Sequence, residues 1–201
     1  MQKAADHLSA HDPILAPIIA EVGLCTIKPH TNYYQELVDS IVSQQLSIKA
    51  AATIWQRFLD LFDGSFPEPE AILQKSIEEL RSAGLSRTKA AYIQDLANHI
   101  LDGTLQIQKL PQLSNEEIIR ELTAVKGIGE WTAHMFLMFS LGRLDILATS
   151  DLGVRNGVKH VYNLPEPPDA ATITALAKKY HWAPYESIAC WYMWQALKLK
   201  V

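Results

Sequence analysis

The chain has 201 residues, of which 48% are hydrophobic and 20% charged, and its formal net charge is −4. This balance is that of a soluble globular protein and excludes a disordered chain. No apolar run reaches the roughly 18 residues of a membrane-spanning helix, and residues 1–10 lack the apolar core of a signal peptide. We therefore expect an intracellular protein without a membrane partner. The negative charge argues mildly against a protein that coats nucleic acid, but it leaves local DNA binding through backbone amides open.

Apolar residues recur at intervals of three and four along most of the chain, which predicts helices. The predicted helical segments, in chain order, are 13–22, 33–45, 50–61, 70–74, 77–82, 87–101, 114–124, 130–141, 152–162, 170–180 and 185–199. Ser86 has the position of an N-cap, and Ser114 with Glu117 fits a capping box. Residues 104–108 could form one short extended piece, but no alternating pattern predicts a sheet. The predicted fold class is all-α, with about ten helices.

The two cysteines, Cys25 and Cys190, follow neither a zinc nor an iron–sulfur spacing. We expect two reduced, buried thiols and no metal site built from side chains.

The most informative segment is residues 122–131, in which Lys126-Gly127-Ile128-Gly129 separates two predicted helices. The glycines permit a tight turn, and Ile128 can fill the gap between the helices. Backbone amides of the turn and of the next helix's first turn are left without intrahelical partners, which makes a phosphate site. An ordinary turn between two helices is the alternative interpretation of this segment alone.

This segment resembles the helix–hairpin–helix of the base-excision DNA glycosylase superfamily, which includes endonuclease III and DNA-3-methyladenine glycosylase II. The resemblance continues into Ser150-Asp-Leu-Gly-Val-Arg-Asn-Gly157 and covers about residues 33–197. It includes the segments 41–52 and 80–93 upstream and 181–194 downstream. The family's functional aspartate corresponds to Asp151. The family often has a proline just before this aspartate, where Ala148 and Thr149 stand here.

The resemblance implies two helical subdomains with a cleft between them. One is a bundle of residues 33–146 that contains the helix–hairpin–helix at 114–141. The other combines residues 1–32 with 147–201 and is formed by both termini. Asp151 would lie where the chain crosses between them, facing the hairpin.

Asp151 is the predicted catalytic group, because breaking an N-glycosidic bond develops positive charge on the sugar. A fixed carboxylate stabilises that charge and can orient or deprotonate water. The alternative is an N-cap for the helix that begins at Leu152, and both roles are compatible if one oxygen caps and the other faces the cleft.

Trp131 distinguishes between reaction classes, because the resemblance places a Schiff-base lysine at this position in bifunctional members. Tryptophan supplies no amine, so we expect hydrolysis without strand cleavage. An aromatic wall also suits an alkylated purine, which is cationic and leaves readily. Trp191 and Tyr34 are further candidates for the pocket wall, with core packing as their alternative. Core packing is the favoured expectation for Trp55 and Trp194, and His134 is expected in the core or at the surface rather than as a base.

Predicted DNA contacts fall in three places. The first is the turn Lys126-Gly127-Ile128-Gly129. The second is Gln44 or Gln45 with Leu46, which resembles the family's intercalating turn that fills the gap left by a flipped base. The third is the set of basic side chains Arg143, Arg155 and Lys159, each of which could equally be a solvated charge. The family implies a monovalent cation on hairpin carbonyls near Val125. No other cofactor is expected, and the protein is predicted to be a monomer.

The predicted function is hydrolytic release of alkylated purines, such as 3-methyladenine, from damaged double-stranded DNA. Two alternatives remain: a glycosylase for a deaminated or oxidised base, and a non-catalytic DNA-binding module that kept the hairpin. A bifunctional lyase is disfavoured by Trp131 and by too few cysteines for an iron–sulfur cluster.

Overall fold

A computed structural model describes residues 1–199 of the chain. Within these residues the structure contains α-helices, one 3-10 helix and one π-helical turn, and no strand, so the predicted all-α class is confirmed. The helices are α1 (Gln2–His11), α2 (Ala16–Val22), α3 (Tyr33–Ser43), α4 (Ile48–Asp60), α5 (Pro69–Gln74), α6 (Ile77–Ser82), α7 (Arg87–Leu101), α8 (Asn115–Thr123), α9 (Glu130–Met135), α10 (Leu152–Val161), α11 (Ala170–Lys179) and α12 (Glu186–Ala196).

Two helix starts lie where the capping signals placed them. The Ser86 hydroxyl accepts the amide of Lys89 at the start of α7. Ser114 and Glu117 exchange both hydrogen bonds of a capping box at the start of α8. These bonds satisfy amides that have no intrahelical partner.

Three segments differ from the prediction. Helix α1 was not predicted, because its buried residues include only two alanines and one leucine. Residues 104–108 are not extended: the Asp102 carboxylate accepts the amide of Thr104 and turns the chain into a 3-10 helix at Ile107–Gln112. The predicted helix 130–141 is α9 followed directly by a π-helical turn at Phe136–Ser140.

The chain forms two compact units. The central unit comprises His30–Phe136, and the terminal unit joins Met1–Pro29 to the chain from Leu137 onward. The predicted boundary at residue 146 is therefore wrong by about one helix length. Residues 137–146 belong to the terminal unit, where the amide of Ile146 donates to Ser187 Oγ at 3.0 Å and Phe139 stacks on Trp194.

In the central unit, α7 packs against α3, α5 and α6. Its inner face is fully buried and carries Ala90, Ile93, Leu96 and Ala97. This burial of apolar area makes α7 a fixed support, and the polar side chains on its flank contact the turns described below.

In the terminal unit, α12 is the central helix, and most of its residues are buried. Helix α10 packs closely against it because Gly157 presents no side chain to the backbone of Met193. A Cβ at Gly157 would lie 2.6 Å from the Cβ of Met193, which is closer than real contacts. This close packing fixes the N-terminus of α10, where Asp151 lies.

Both cysteines are free and buried, as predicted. Burial raises the pKa of the Cys190 thiol to about 12, which keeps it protonated at neutral pH. Among residues 1–199, no helix has the length and apolar character needed to span a membrane.

Candidate active site

Asp151 is the N-cap of α10, and its carboxylate is also held by an aromatic side chain. Its Oδ1 accepts the amide of Val154 at 2.7 Å and the indole N–H of Trp194 at 2.8 Å. The residue is only 9% exposed. The cap therefore exists, and it does not compete with a catalytic role, since both of these bonds fix the orientation of the carboxylate.

The contact between Trp194 and Asp151 depends on Gly153. A Cβ at this position would lie 2.7 Å from both Cδ1 and Nε1 of the indole. Phe139 also contacts the indole of Trp194: the two rings stack with their centroids 5.7 Å apart. Core packing was the favoured expectation for Trp194, because a hydrogen bond between residues 43 positions apart has no local signal.

Replacing Trp194 with phenylalanine removes the indole donor but keeps an aromatic ring against Phe139. We expect the rate of the reaction that uses Asp151 to fall roughly 10- to 100-fold, because a hydrogen bond to a charged group contributes about 1.5–3 kcal/mol. Single-turnover kinetics with thermal unfolding as a control would measure this. An unchanged rate in a folded variant would show that the indole does not orient the carboxylate.

Asp151 lies in a buried part of the terminal unit. Ala148 and Val154 are fully buried beside it in the chain. After burial itself, the negative charge of Asp151 is among the causes that raise the pKa of Cys190. A carboxylate in apolar surroundings interacts more strongly with a nearby positive charge than one in water does.

The predicted hairpin is formed in the central unit by α8, the hairpin turn (residues 126–129) and α9. Val125 and Ile128 are buried, so Ile128 fills the gap between the helices as expected. Gly127 has φ +86°, and a Cβ there would overlap the ring of Tyr92. Gly129 is the N-cap of α9, and within the described chain no side chain caps this helix. The first amides of α9 thus lack a side-chain cap, and phosphate binding by them stays a prediction.

The contacts of Lys126 are with an acidic side chain of α7, whereas a phosphate contact was predicted. Its amide donates to Asp95 Oδ2 at 2.9 Å, and its Nζ lies 3.1 Å from Asp95 Oδ1. Partial burial would raise the pKa of Asp95, but the hydrogen bonds and charge of Lys126 hold it below its usual range. Lys126 therefore anchors the turn to α7, and its amide is not available to a ligand. The pair lies 31 residues apart and has no signal in the local sequence.

The turn between α3 and α4, residues 44–46, is called the insertion turn below. Gln45 has φ +56°, and Gln45 and Leu46 are both exposed. Gln44 is partly buried, and its side-chain amide donates to the carbonyl of Gly127 at 2.8 Å. The insertion turn and the hairpin turn are thus directly connected within the central unit.

The predicted pocket residues have different surroundings. Trp131 is 47% exposed on α9, which suits stacking on a ligand. Trp191 is almost completely buried and packs edge-on against Tyr192. Tyr34 packs edge-on against Phe66 and lines a separate cavity of about 400 Å³ in the central unit, together with Glu68, Pro69, Ile100, Leu105 and residues 106–109. A place for Tyr34 in the wall of the substrate pocket stays a prediction.

His134 and the basic side chains complete the predicted set. Burial lowers the pKa of His134, so the imidazole is neutral at pH 7. The Arg155 Nε donates to the carbonyl of Pro168 at 2.8 Å, so this side chain holds the loop before α11. The backbone amide of Arg143 donates to the carbonyl of Leu137. Phosphate contacts by Arg143, Arg155 and Lys159 stay predictions.

Metal binding by side chains finds no support in the part of the chain that is described. No group of three His, Cys, Asp or Glu residues among residues 1–199 could hold a metal ion. In the hairpin, the carbonyl of Val125 accepts the amide of Ile128 at 3.2 Å, which uses one of its two lone pairs. A cation on the hairpin carbonyls stays a prediction.

Comparison with known proteins gives a consistent set of similarities. Residues 38–181 match the model of the HhH-GPD superfamily base excision DNA repair protein. DNA-3-methyladenine glycosylase 1 of Schizosaccharomyces pombe is 35% identical over 99% of this chain and 89% of its own length. The crystal structure of a DNA-3-methyladenine glycosidase from Bacillus halodurans has a TM-score of 0.86 at 41% identity, covering 96% of this chain and 88% of that one. A 3-methyladenine DNA glycosylase of S. pombe solved in complex with abasic DNA has the same TM-score of 0.86 at 35% identity, covering 98% and 97%.

Proposed function

The chain belongs to the HhH-GPD superfamily of base excision DNA repair proteins, and we propose that it is a monofunctional DNA glycosylase that hydrolyses the N-glycosidic bond of alkylated purines. The observation that carries this proposal is the buried carboxylate of Asp151, oriented by Val154 and Trp194. The relatives named DNA-3-methyladenine glycosylase support the substrate class.

In the proposed reaction, the bond between the base nitrogen and C1′ breaks, and its electron pair leaves with the base. The Asp151 carboxylate stabilises the positive charge that develops on the sugar. A water oxygen then bonds to C1′, and Asp151 accepts the proton that this water loses. The products are the free base and an abasic site in an uncut strand.

Alkylated purines suit a mechanism in which a single carboxylate stabilises the developing charge. Methylation at N3 of adenine or N7 of guanine makes the base cationic, so it departs as a neutral molecule without protonation by the protein. An aromatic face attracts such a cation by about 0.5–2 kcal/mol, and stacking adds roughly 1–3 kcal/mol. Trp131 is proposed for this contact because it is exposed and its helix begins at the hairpin turn.

The proposed partner is damaged double-stranded DNA, which is held by the amides at the start of α9 while the insertion turn fills the gap left by the flipped base. A DNA complex of a relative supports this partner. Hairpin carbonyls near Val125 would hold a monovalent cation, which would supply positive charge at the turn. We further propose that the protein acts as an intracellular monomer.

The proposed function is tested with duplex DNA that carries a methylated purine at one position. We expect the wild-type protein to release the methylated base, to leave the strand uncut until alkali is added, and to give no covalent adduct with borohydride. The last two results follow from the absence of an amine at Trp131. Borohydride trapping would contradict the hydrolytic mechanism. Release of only deaminated or oxidised bases would favour the first alternative, and DNA binding without any base release would favour a binding module.

A further inference from the structure

One flank of α7 contacts both turns that are proposed to bind DNA. Lys89, Tyr92 and Asp95 follow each other at intervals of three residues and therefore share this flank. Lys89 contacts the insertion turn, whereas Tyr92 and Asp95 contact the hairpin turn. Because the inner face of α7 is fully buried, this flank is a rigid support for two loops that are distant in sequence.

Lys89 holds the end of α3 and the start of the insertion turn. Its Nζ donates to the carbonyl of Val42 at 2.9 Å and to the carbonyl of Gln44 at 2.7 Å. The last carbonyls of a helix have no intrahelical partner, and a cation is favourable there. Partial burial lowers the pKa of Lys89, which is the expected effect on an ammonium group that is enclosed by protein.

Gln44 extends this support to the hairpin. While its own carbonyl accepts from Lys89, its side-chain amide donates to the carbonyl of Gly127 at 2.8 Å. Gly127 is in turn packed against Tyr92, and Lys126 is bonded to Asp95. The two turns and α7 thus form a closed set of contacts, in which Lys89 is the only side chain of α7 bonded to the insertion turn among those described.

We propose that Lys89 is a positioning residue for base extrusion. By fixing the insertion turn relative to the hairpin, it aligns the exposed side chain of Gln45 with the nucleotide whose backbone the hairpin holds. This inference rests on the proposed glycosylase function. A turn that is already held in place loses little conformational entropy when it inserts into the DNA. The free-energy barrier to opening the base pair is therefore lower.

The test compares base release from two substrates by Lys89→Met. In the first, 7-methylguanine is paired with cytosine in a complete duplex. In the second, the same lesion lies opposite an abasic-site analogue and has no base pair to break. A positioning role predicts a single-turnover rate that falls roughly 10- to 100-fold on the paired lesion, as expected for losing hydrogen bonds to a charged group. On the unpaired lesion the rate should stay within about threefold of wild type.

Three variants complete the design. Lys89→Arg keeps a charged donor and should restore most of the rate on the paired lesion. Gln44→Met should show the same substrate dependence as Lys89→Met, and the double variant should lose little more than either one. Lys75→Met removes a lysine of the central unit that bonds neither turn and should behave as wild type.

The outcomes separate the two proposals. If Lys89→Met slows both substrates equally, its effect is merely structural and the positioning role is overturned. It is likewise overturned if the paired lesion is processed at the wild-type rate. If the wild-type protein releases neither 7-methylguanine nor 3-methyladenine from either duplex context, the proposed glycosylase function itself fails and the inference fails with it.

Discussion

Replacing Asp151 with asparagine is expected to reduce the rate of base release by at least about 10²-fold, because it removes the charge that stabilises the developing cation. Asparagine is the informative replacement. It retains an oxygen that accepts from Val154 and Trp194, and it caps helices about as well as aspartate does. Alanine would also remove the cap, at about 1 kcal/mol, and would leave the indole N–H without its acceptor.

The measurement pairs single-turnover base release with binding to a duplex that contains an abasic-site analogue. Affinity should stay within a few-fold of wild type, since the amides of the hairpin are unchanged. Asp169→Asn is the matched control, because Asp169 caps α11 in the same unit by accepting the amide of Thr172 at 2.8 Å. This control should keep full activity. Residual activity of Asp151→Asn within a few-fold of wild type would remove Asp151 from the mechanism.

The sequence predicted what local patterns can encode. Apolar periodicity located most helices, and Ser86 and Ser114 marked two helix starts that the structure has in the same places. The two glycines of the hairpin predicted a tight turn with Ile128 filling the gap between the helices, and Ile128 is buried. Helix α1 was missed because small alanines give only a weak apolar stripe.

The contacts that define the site were not predictable in this way, because they join distant parts of the chain. Trp194 has the spacing of a core residue on α12, yet its indole donates to Asp151. Lys126 has the sequence context of a phosphate contact, yet Asp95 binds both its amide and its ammonium group. In both cases the partner's identity depends on tertiary packing, and neither Asp95 nor Trp194 carries a local pattern that indicates its role.

For Tyr34 the sequence left two alternatives open, the pocket wall and core packing. Its side chain packs on Phe66, and a place in the pocket wall stays a prediction. A tyrosine on a helix gives no indication in the sequence of which neighbour covers its ring. Burial, with the negative charges of Glu68 and Glu70, raises the pKa of its hydroxyl well above the usual range, so it stays protonated.

Replacing Gly127 with alanine is the second change with a large expected effect. Its φ of +86° is costly for a residue with a Cβ, and the added carbon would overlap the Tyr92 ring. We expect the free energy of unfolding to fall by about 1–3 kcal/mol and the affinity for abasic-analogue duplex to fall at least about tenfold. Thermal unfolding and fluorescence anisotropy measure the two effects.

Gly129→Ala separates the two roles that a glycine can have in this turn. Gly129 has φ −94°, and a Cβ there would meet no atom within 4 Å. The protein alone should therefore tolerate alanine, with stability lowered by at most about 1 kcal/mol, because the smaller entropy of the unfolded chain offsets part of the poorer N-cap. A loss of duplex affinity in this stable variant would mean that the space beside Gly129 is occupied by the DNA backbone. If Gly129→Ala binds DNA as wild type does while Gly127→Ala does not, the hairpin needs its glycines for the turn alone, and close approach of a phosphate at Gly129 is excluded.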